Sequence, residues 1–339
     1  MQFGLASPSS LSWCWRSFRK ANSTPSSTSS SKPALRYARI LVGTCAILVI
    51  ALELYSIHVV KHYSVTDARV TRQYAEALAI RPVPSAGTTS VLIVGNSLLL
   101  YGVEFDKLRE QTAGTLQIHP IFLEGTGYYD WFYALRRLFR HGARPQVVVA
   151  GLEPNTSFQS SVWEQTPRLL FGAGDVLDVA SDLELDRTAT TNLLFSHVST
   201  FWEMRSFFRR RILRAVVPHF ENLFPYVRSD GSGPQGPEFE TMIMSRLRTL
   251  NELCEANGAR LVLLIPPTLS SEAVAHQMVA ASEKVGVRAL LPIDPVDLTA
   301  RFYEADAVHL NPEGAVRFTS ALARDLPRIL SSETVASKH

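Results

Sequence analysis

Residues 40–60 read ILVGTCAILVIALELYSIHVV, an apolar run of 21 residues in which only Glu53 and His58 are ionisable. As a helix this run is about 31 Å long, close to the hydrocarbon thickness of a bilayer. It predicts one membrane-spanning helix. A cleavable leader would carry a shorter apolar segment and a small-residue cleavage site, whereas Val59, Val60, Lys61, His62 and Tyr63 come next here. Residues 61–80 then carry a helical pattern, expected as a stalk, and Arg81 to Gly87 with Pro82 and Pro84 break it.

From there short apolar runs alternate with helical periodicity. Residues 91–94, 147–150 and 261–265 are short continuous apolar runs of strand length, residues 116–122 also read as a strand, and helical patterns occupy 103–112, 129–139 and 238–256. Alternation of this kind predicts an α/β fold, a three-layer sandwich with a mostly parallel central sheet, preceded by one transmembrane helix. The rhythm fails between about 156 and 237, where helical stretches rich in aromatic and Arg residues read as an insertion or a cap over the site.

Composition alters this picture mainly at the amino terminus. Residues 1–39 include the run Ser23 to Ser31, too polar and repetitive to bury apolar surface, and are expected to be a disordered basic tail. The expected organisation is therefore a tail over 1–39, a span over 40–60, a stalk or linker over 61–88, a catalytic domain over 89–330 and a short tail over 331–339. Arg16, Arg19, Lys20, Lys32, Arg36 and Arg39 stand ahead of the span with no acidic residue, and they account for the net charge of +3. Without them, 28 basic residues of the total 34 face 31 acidic ones, so the body offers no broad surface for a phosphate backbone and no nucleic-acid partner is expected. The same six charges place the amino terminus in the cytoplasm and the domain outside it.

Glu53 interrupts the span off-centre, towards the far interface, where a carboxylate is costly unless protonated, drawn towards water or held by a membrane partner. Cys14, Cys45 and Cys254 permit no disulfide within the domain and no CxxC metal site.

In an open parallel sheet, ligands bind beyond the carboxyl ends of the strands. Those positions hold Gly95-Asn96-Ser97 after the first strand, Glu124-Gly125-Thr126-Gly127 after the second and Gly151-Leu152-Glu153-Pro154-Asn155 after the third. Asp306-Ala307-Val308-His309 opens the last helix.

These blocks, in this order, resemble the SGNH superfamily, also called GDSL hydrolases, over roughly 89–330. The resemblance implies a nucleophile at Ser97, a base at His309 oriented by Asp306, and an oxyanion hole built from Gly125 or Gly127 and Asn155. The chemistry explains the residue types. A serine hydroxyl attacks an ester only when a base takes its proton, and imidazole, with an ordinary pKa near 6.5, suits that task. A carboxylate three residues upstream can fix its tautomer through Nδ1, and N–H donors then stabilise the developing oxyanion.

Two departures stand out. Asn96 replaces the family's Asp before the nucleophile, and Glu153 stands two residues after Gly151, where the family has its Asn. No cofactor and no metal is implied, since Asp306 and His309 alone are too few ligands; His197, His219 and His276 are expected to be surface or packing residues. The aromatic run Tyr128 to Tyr133, with Arg136 and Arg137, fits either a substrate-stacking surface or a packed amphipathic helix. The resemblance implies a membrane-anchored esterase or acyltransferase acting on an acyl ester of an envelope glycan or lipid, with a non-catalytic scaffold on the same fold as the rival reading.

Overall fold

A computed structural model describes residues 31–81, 87–154, 158, 160–163, 167–217, 236–269 and 271–331. The chain divides into two compact units, Met1–Ile50 and Ala51–His339. The tail expected over 1–39 lies outside the described residues as far as position 30, and from Ser31 onward the backbone is helical rather than disordered. This helix, α1, runs over Ser31–Tyr63 and contains the apolar stretch Leu35–Val60, with a mean hydropathy of 2.3 and nearly all of its surface exposed. It is long and apolar enough to cross a membrane.

The second unit is built on five strands, β1 (Thr89–Gly95), β2 (Leu116–Phe122), β3 (Val147–Gly151), β4 (Arg260–Leu264) and β5 (Arg288–Leu290). They form one wholly parallel sheet in the order β2-β1-β3-β4-β5. The connecting helices are α2 (Val65–Leu78), α3 (Ser97–Gly102), α4 (Phe105–Gln111) and α5 (Tyr128–Arg140). The insertion supplies α6 (Pro167–Leu170), α7 (Val176–Asp182), α8 (Arg187–Val198), α9 (Thr200–Glu203) and α10 (Arg205–Val216). The chain then returns through α11 (Pro237–Glu255), α12 (Glu272–Lys284) and α13 (Pro312–Ser331).

Side chains alternate along each strand, so one sheet face carries Leu92, Val94, Val148, Ala150, Leu261 and Leu263 and packs against α2, α5, α11 and α12. The other carries Val91, Ile93, Val147, Val149, Val262 and Leu264 and packs against α3, α4 and α13. Both faces are buried over β1, β3 and β4, which is why those strands read as apolar runs, whereas edge strand β2 carries an exposed Gln117 and a half-buried His119. The fold is the three-layer α/β sandwich that the strand and helix rhythm predicts.

The stalk expected over 61–88 is corrected. Residues 65–78 are α2, and its Val70 and Ala77, with Ile80 just beyond it, are buried in the main core. The helix also closes the open edge of β2: Gln73 Oε1 accepts from Phe122 N at 3.1 Å, and Arg69 donates to Phe122 O at 3.0 Å. An exposed strand edge is a template for unwanted pairing, and here side chains from α2 occupy it. Polar residues at 69 and 73 hide this role from a reading of periodicity. Pro120 is tolerated in β2 because that strand lies at the edge.

The described part of the insertion is helical, as expected, and its Trp163 reaches the β2–α5 turn beside Gly125. Its α6 packs against α2 and α5, and Phe158, Leu170, Phe171, Val176, Val179 and Leu193 join the core on that side.

Candidate active site

The carboxyl ends of β1, β2 and β3 end level with one another, with Gly95 paired to both Phe122 and Gly151. Gly95 and Gly151 leave room for Leu99: a Cβ on Gly151 would lie 2.2 Å from Leu99 Cδ1 and one on Gly95 2.8 Å from it. The missing side chains let α3 start directly on the sheet. Asn96 caps that helix, its Oδ1 accepting from Leu98 N at 3.0 Å, and Ser97 is the first helical residue.

The same Asn96 amide donates through Nδ2 to Thr126 O at 3.4 Å. An ionised aspartate could not make that bond, because it has no proton to give. Asn96 is thus a tie between the Ser97 turn and the β2–α5 turn.

Ser97 Oγ lies 2.8 Å from His309 Nε2, and His309 Nδ1 lies 2.6 Å from Asp306 Oδ2. Ser97 is separated from the other two by more than 200 positions along the chain, and the three meet because the β1–α3 turn and the loop before α13 share one rim of the sheet. Asp306 Oδ1 accepts from Val308 N at 2.9 Å and His309 N at 3.0 Å, so one carboxylate oxygen organises its own loop while the other holds the imidazole. The turn requires Ala307 at φ +60°, a left-handed conformation costing about 1–2 kcal/mol for a residue with a side chain. Glu304 N donating to His309 O at 2.8 Å and Asn311 N donating to Phe302 O at 2.9 Å hold the loop against that strain.

Desolvation would raise the Asp306 pKa, but the hydrogen bonds from the His309 ring and from the backbone N–H groups of His309 and Val308 outweigh it and hold the carboxyl below its ordinary value. It therefore stays an acceptor throughout the neutral range. All three side chains are partly exposed, as a site open to substrate requires.

The glycines of the second block differ. Gly127 caps α5, and its N–H donates to Asp130 Oδ2 at 2.9 Å, so that group is already engaged. Gly125 sits at φ +77°, exposed, and a Cβ there would fall 2.6 Å from the Trp163 ring. Asn155 lies outside the described residues. Glu153, two residues beyond Gly151, is buried.

Asp130 also accepts from Trp163 N at 2.9 Å, so this buried carboxyl joins α5 to the start of the insertion beside Gly125. Desolvation raises its pKa to about 7 against the two N–H bonds that lower it. A raised carboxyl pKa contributes stability that is complete below the unfolded value, near 4, and disappears as pH rises through about 7. Urea midpoints of the wild type should therefore fall across that window, by the equivalent of roughly 4 kcal/mol at most. In Asp130→Asn the slope should flatten, and an unchanged slope would remove Asp130 as its origin.

Three further residues near the site escaped sequence reasoning. Tyr101, one helical turn after Ser97, packs edge-on against the His309 ring at 5.7 Å between centroids; the i, i+4 spacing was the available signal. Trp163 comes from an irregular segment that no periodicity marks. Arg69, on α2, pairs with Glu124 at 2.8 Å and braces the residue before Gly125.

A cavity of about 370 Å³ runs beside the β2–α5 turn, lined by Glu124, Trp163, Arg168, Phe207 and Val60 among others. Arg168 forms ion pairs with Asp67, at 2.8 Å, and with Glu203 along its wall.

The aromatic run of α5 is packing rather than a stacking platform. Tyr128, Trp131 and Tyr133 are buried, Arg136 pairs with Asp175 and Asp178, and Arg137 donates to Arg168 O. His197 lies against Phe171 in the insertion, and His219 lies outside the described residues. His276 is exposed, as expected of a surface residue, and its ring and the carboxylates of Glu272 and Asp294 offer ligand atoms within 4.8 Å of one another, with Nε2 at 2.7 Å from Asp294. That group sits around the start of α12 and includes none of the Ser97, Asp306 and His309 atoms.

No protein-family model matches this chain, and no curated protein matches it. Among solved structures, 13 chains match. One is described as the crystal structure of TesA, similar at 12% identity with a TM-score of 0.37, over 70% of this chain and 98% of that one.

Proposed function

We propose that this chain is a membrane-anchored serine esterase or acyltransferase of the SGNH type, acting on an acyl ester of an envelope glycan or lipid. The observation that carries the reading is the continuous path from Ser97 Oγ through the His309 ring to the Asp306 carboxylate, with contacts of 2.8 and 2.6 Å. In this reading His309 Nε2 takes the Ser97 proton as Oγ bonds to the ester carbonyl carbon. The tetrahedral oxyanion is met by backbone N–H groups at Ser97 and Gly125. Gly125 is preferred over Gly127, whose N–H is held by Asp130, and Asn155 remains the third expected donor. Collapse expels the alcohol, which takes the proton back from His309 and leaves an acyl group on Ser97. Water then gives an esterase, and a sugar hydroxyl gives a transferase.

Membrane attachment supports a substrate at the envelope. The apolar stretch of α1 is the anchor, the basic residues before it favour a cytoplasmic amino terminus, and the domain then faces outward. The cavity beside Gly125 reaches Val60, at the end of that stretch, which supports entry from the membrane side.

The test is turnover of p-nitrophenyl acetate by the full chain in detergent, with and without sugar acceptors. Release of p-nitrophenol supports the reading, and acceleration by an acceptor with acetyl transfer to it assigns the transferase form. No turnover under any condition would favour the scaffold.

A further inference from the structure

Glu53 stands seven positions before the end of the apolar stretch Leu35–Val60, roughly 10 Å along the helix from that end. Its carboxylate accepts from Ser199 Oγ at 2.7 Å, Thr200 N at 2.7 Å and Phe201 N at 3.1 Å. The partner that the sequence left open at this carboxylate is thus the chain's own insertion. Ser199 in turn caps α9, its Oγ accepting from Trp202 N at 3.1 Å. The insertion therefore reaches the depth of Glu53, inside the stretch of α1 that would lie in lipid.

Beyond α9 the chain continues directly into α10, a helix with no buried residue. Phe207, Ile212 and Val216 are 46%, 62% and 72% exposed, a poor arrangement in water. At about 100° per residue, Phe208, Ile212 and Val216 share one face with Arg205 and Arg209, while Phe207 falls among Arg210, Arg211 and Arg214 on the other. The face that carries these apolar side chains therefore also carries two guanidinium groups.

Between α1 and α10 is an apolar groove of about 510 Å³. Leu52 and Tyr55 of α1 form one wall, Phe201, Phe208, Ile212 and Leu213 the other, with Arg205 and Arg209 completing the lining. The Tyr55 and Phe208 rings face across it at 6.1 Å.

We propose that α9 and α10 lie against lipid beside α1, and that this groove binds one anionic phospholipid, its acyl chain between Tyr55 and Phe208 and its phosphate on Arg209, since Arg205 already donates to Trp202 O at 2.8 Å. Continuity with the apolar stretch selects the occupant: a groove whose wall is Leu52 and Tyr55 opens where lipid tails are, if α1 spans the bilayer. Charge selects the headgroup, because guanidinium groups meet phosphate oxygens in a two-pronged geometry. The proposal rests on α1 as a span and is independent of the chemistry at Ser97.

The test uses the full chain in nanodiscs of phosphatidylcholine with a minor share of phosphatidylglycerol. An environment-sensitive fluorophore is placed on Ile212→Cys, or on Leu48→Cys within α1, with Cys14 and Cys45 replaced by Ser, and is quenched by doxyl-labelled lipids. Both positions should be quenched, and at Ile212→Cys doxyl-phosphatidylglycerol should quench roughly fivefold more effectively than doxyl-phosphatidylcholine. Arg209→Gln should erase that preference and keep the quenching, and Ser97→Ala should change neither.

Quenching at Leu48→Cys alone would overturn the proposal and leave the span standing, with α10 in water or covered by a protein partner or a second copy. Quenching at neither position would overturn both. Equal quenching by the two lipids at Ile212→Cys would remove the anionic site. Native mass spectrometry of the unlabelled wild type is the check free of any substitution: retained phosphatidylglycerol supports the site, and indifferent retention of both lipids contradicts it.

Discussion

Replacing Ser97 with alanine is expected to lower kcat for ester turnover by roughly 10⁴-fold or more while the thermal unfolding transition stays where it is. The size comes from the chemistry: without Oγ no acyl-enzyme forms, and only the oxyanion donors and binding remain to speed direct attack by water. The stability expectation comes from the packing. Ser97 Oγ contacts the exposed end of the His309 ring, whereas α3 is held by the Asn96 cap and by Leu98 and Leu99 beneath it. A variant that keeps a tenth of wild-type activity would put the nucleophile elsewhere.

The second large effect belongs to Asp306→Asn, expected to lower kcat by roughly 10³–10⁴-fold with the fold intact. Asparagine can keep Oδ1 on the N–H groups of Val308 and His309, so the loop survives. Its Nδ2 then faces His309 Nδ1 as a donor. The ring must accept there and carry its proton on Nε2, which turns Nε2 from an acceptor into a donor towards Ser97. Steady-state kinetics with urea unfolding separates the outcomes. Loss of activity with an unchanged midpoint is the expected pair, and unchanged kinetics would exclude Asp306 from orienting the base.

Much of this arrangement can be read in the sequence because it depends on local signals. Three of the five strands, β1, β3 and β4, are apolar runs buried on both faces, and a fourth, β2, still reads as a strand around Gln117 and His119; the residues bearing chemistry come directly after β1, β2 and β3 or open the last helix. The fifth, Arg288–Leu290, escapes because three residues at a sheet edge carry no run to recognise. Residues 65–78 escape for a different reason: their hold on β2 runs through Arg69 and Gln73, polar side chains that periodicity scores as solvent-facing.

At the site, spacing placed Asp306 and His309 on one turn, but it could not rank Gly125 against Gly127. That ranking depends on Asp130, which lies within α5 and takes the Gly127 N–H. Glu53 shows the same limit from the other side. Its cost in an apolar helix is evident from sequence alone, whereas its partners Ser199, Thr200 and Phe201 lie about 150 residues away in a segment without strand and helix rhythm.

The central claim is that Ser97 is an activated nucleophile, and covalent capture addresses it most directly. The full-length chain is treated with a fluorophosphonate, digested, and searched by mass spectrometry for the phosphonyl adduct. The account predicts the adduct on the peptide carrying Ser97, with labelling abolished in His309→Ala. An unmodified Ser97 in folded wild-type protein, or an adduct on a different serine, would contradict it.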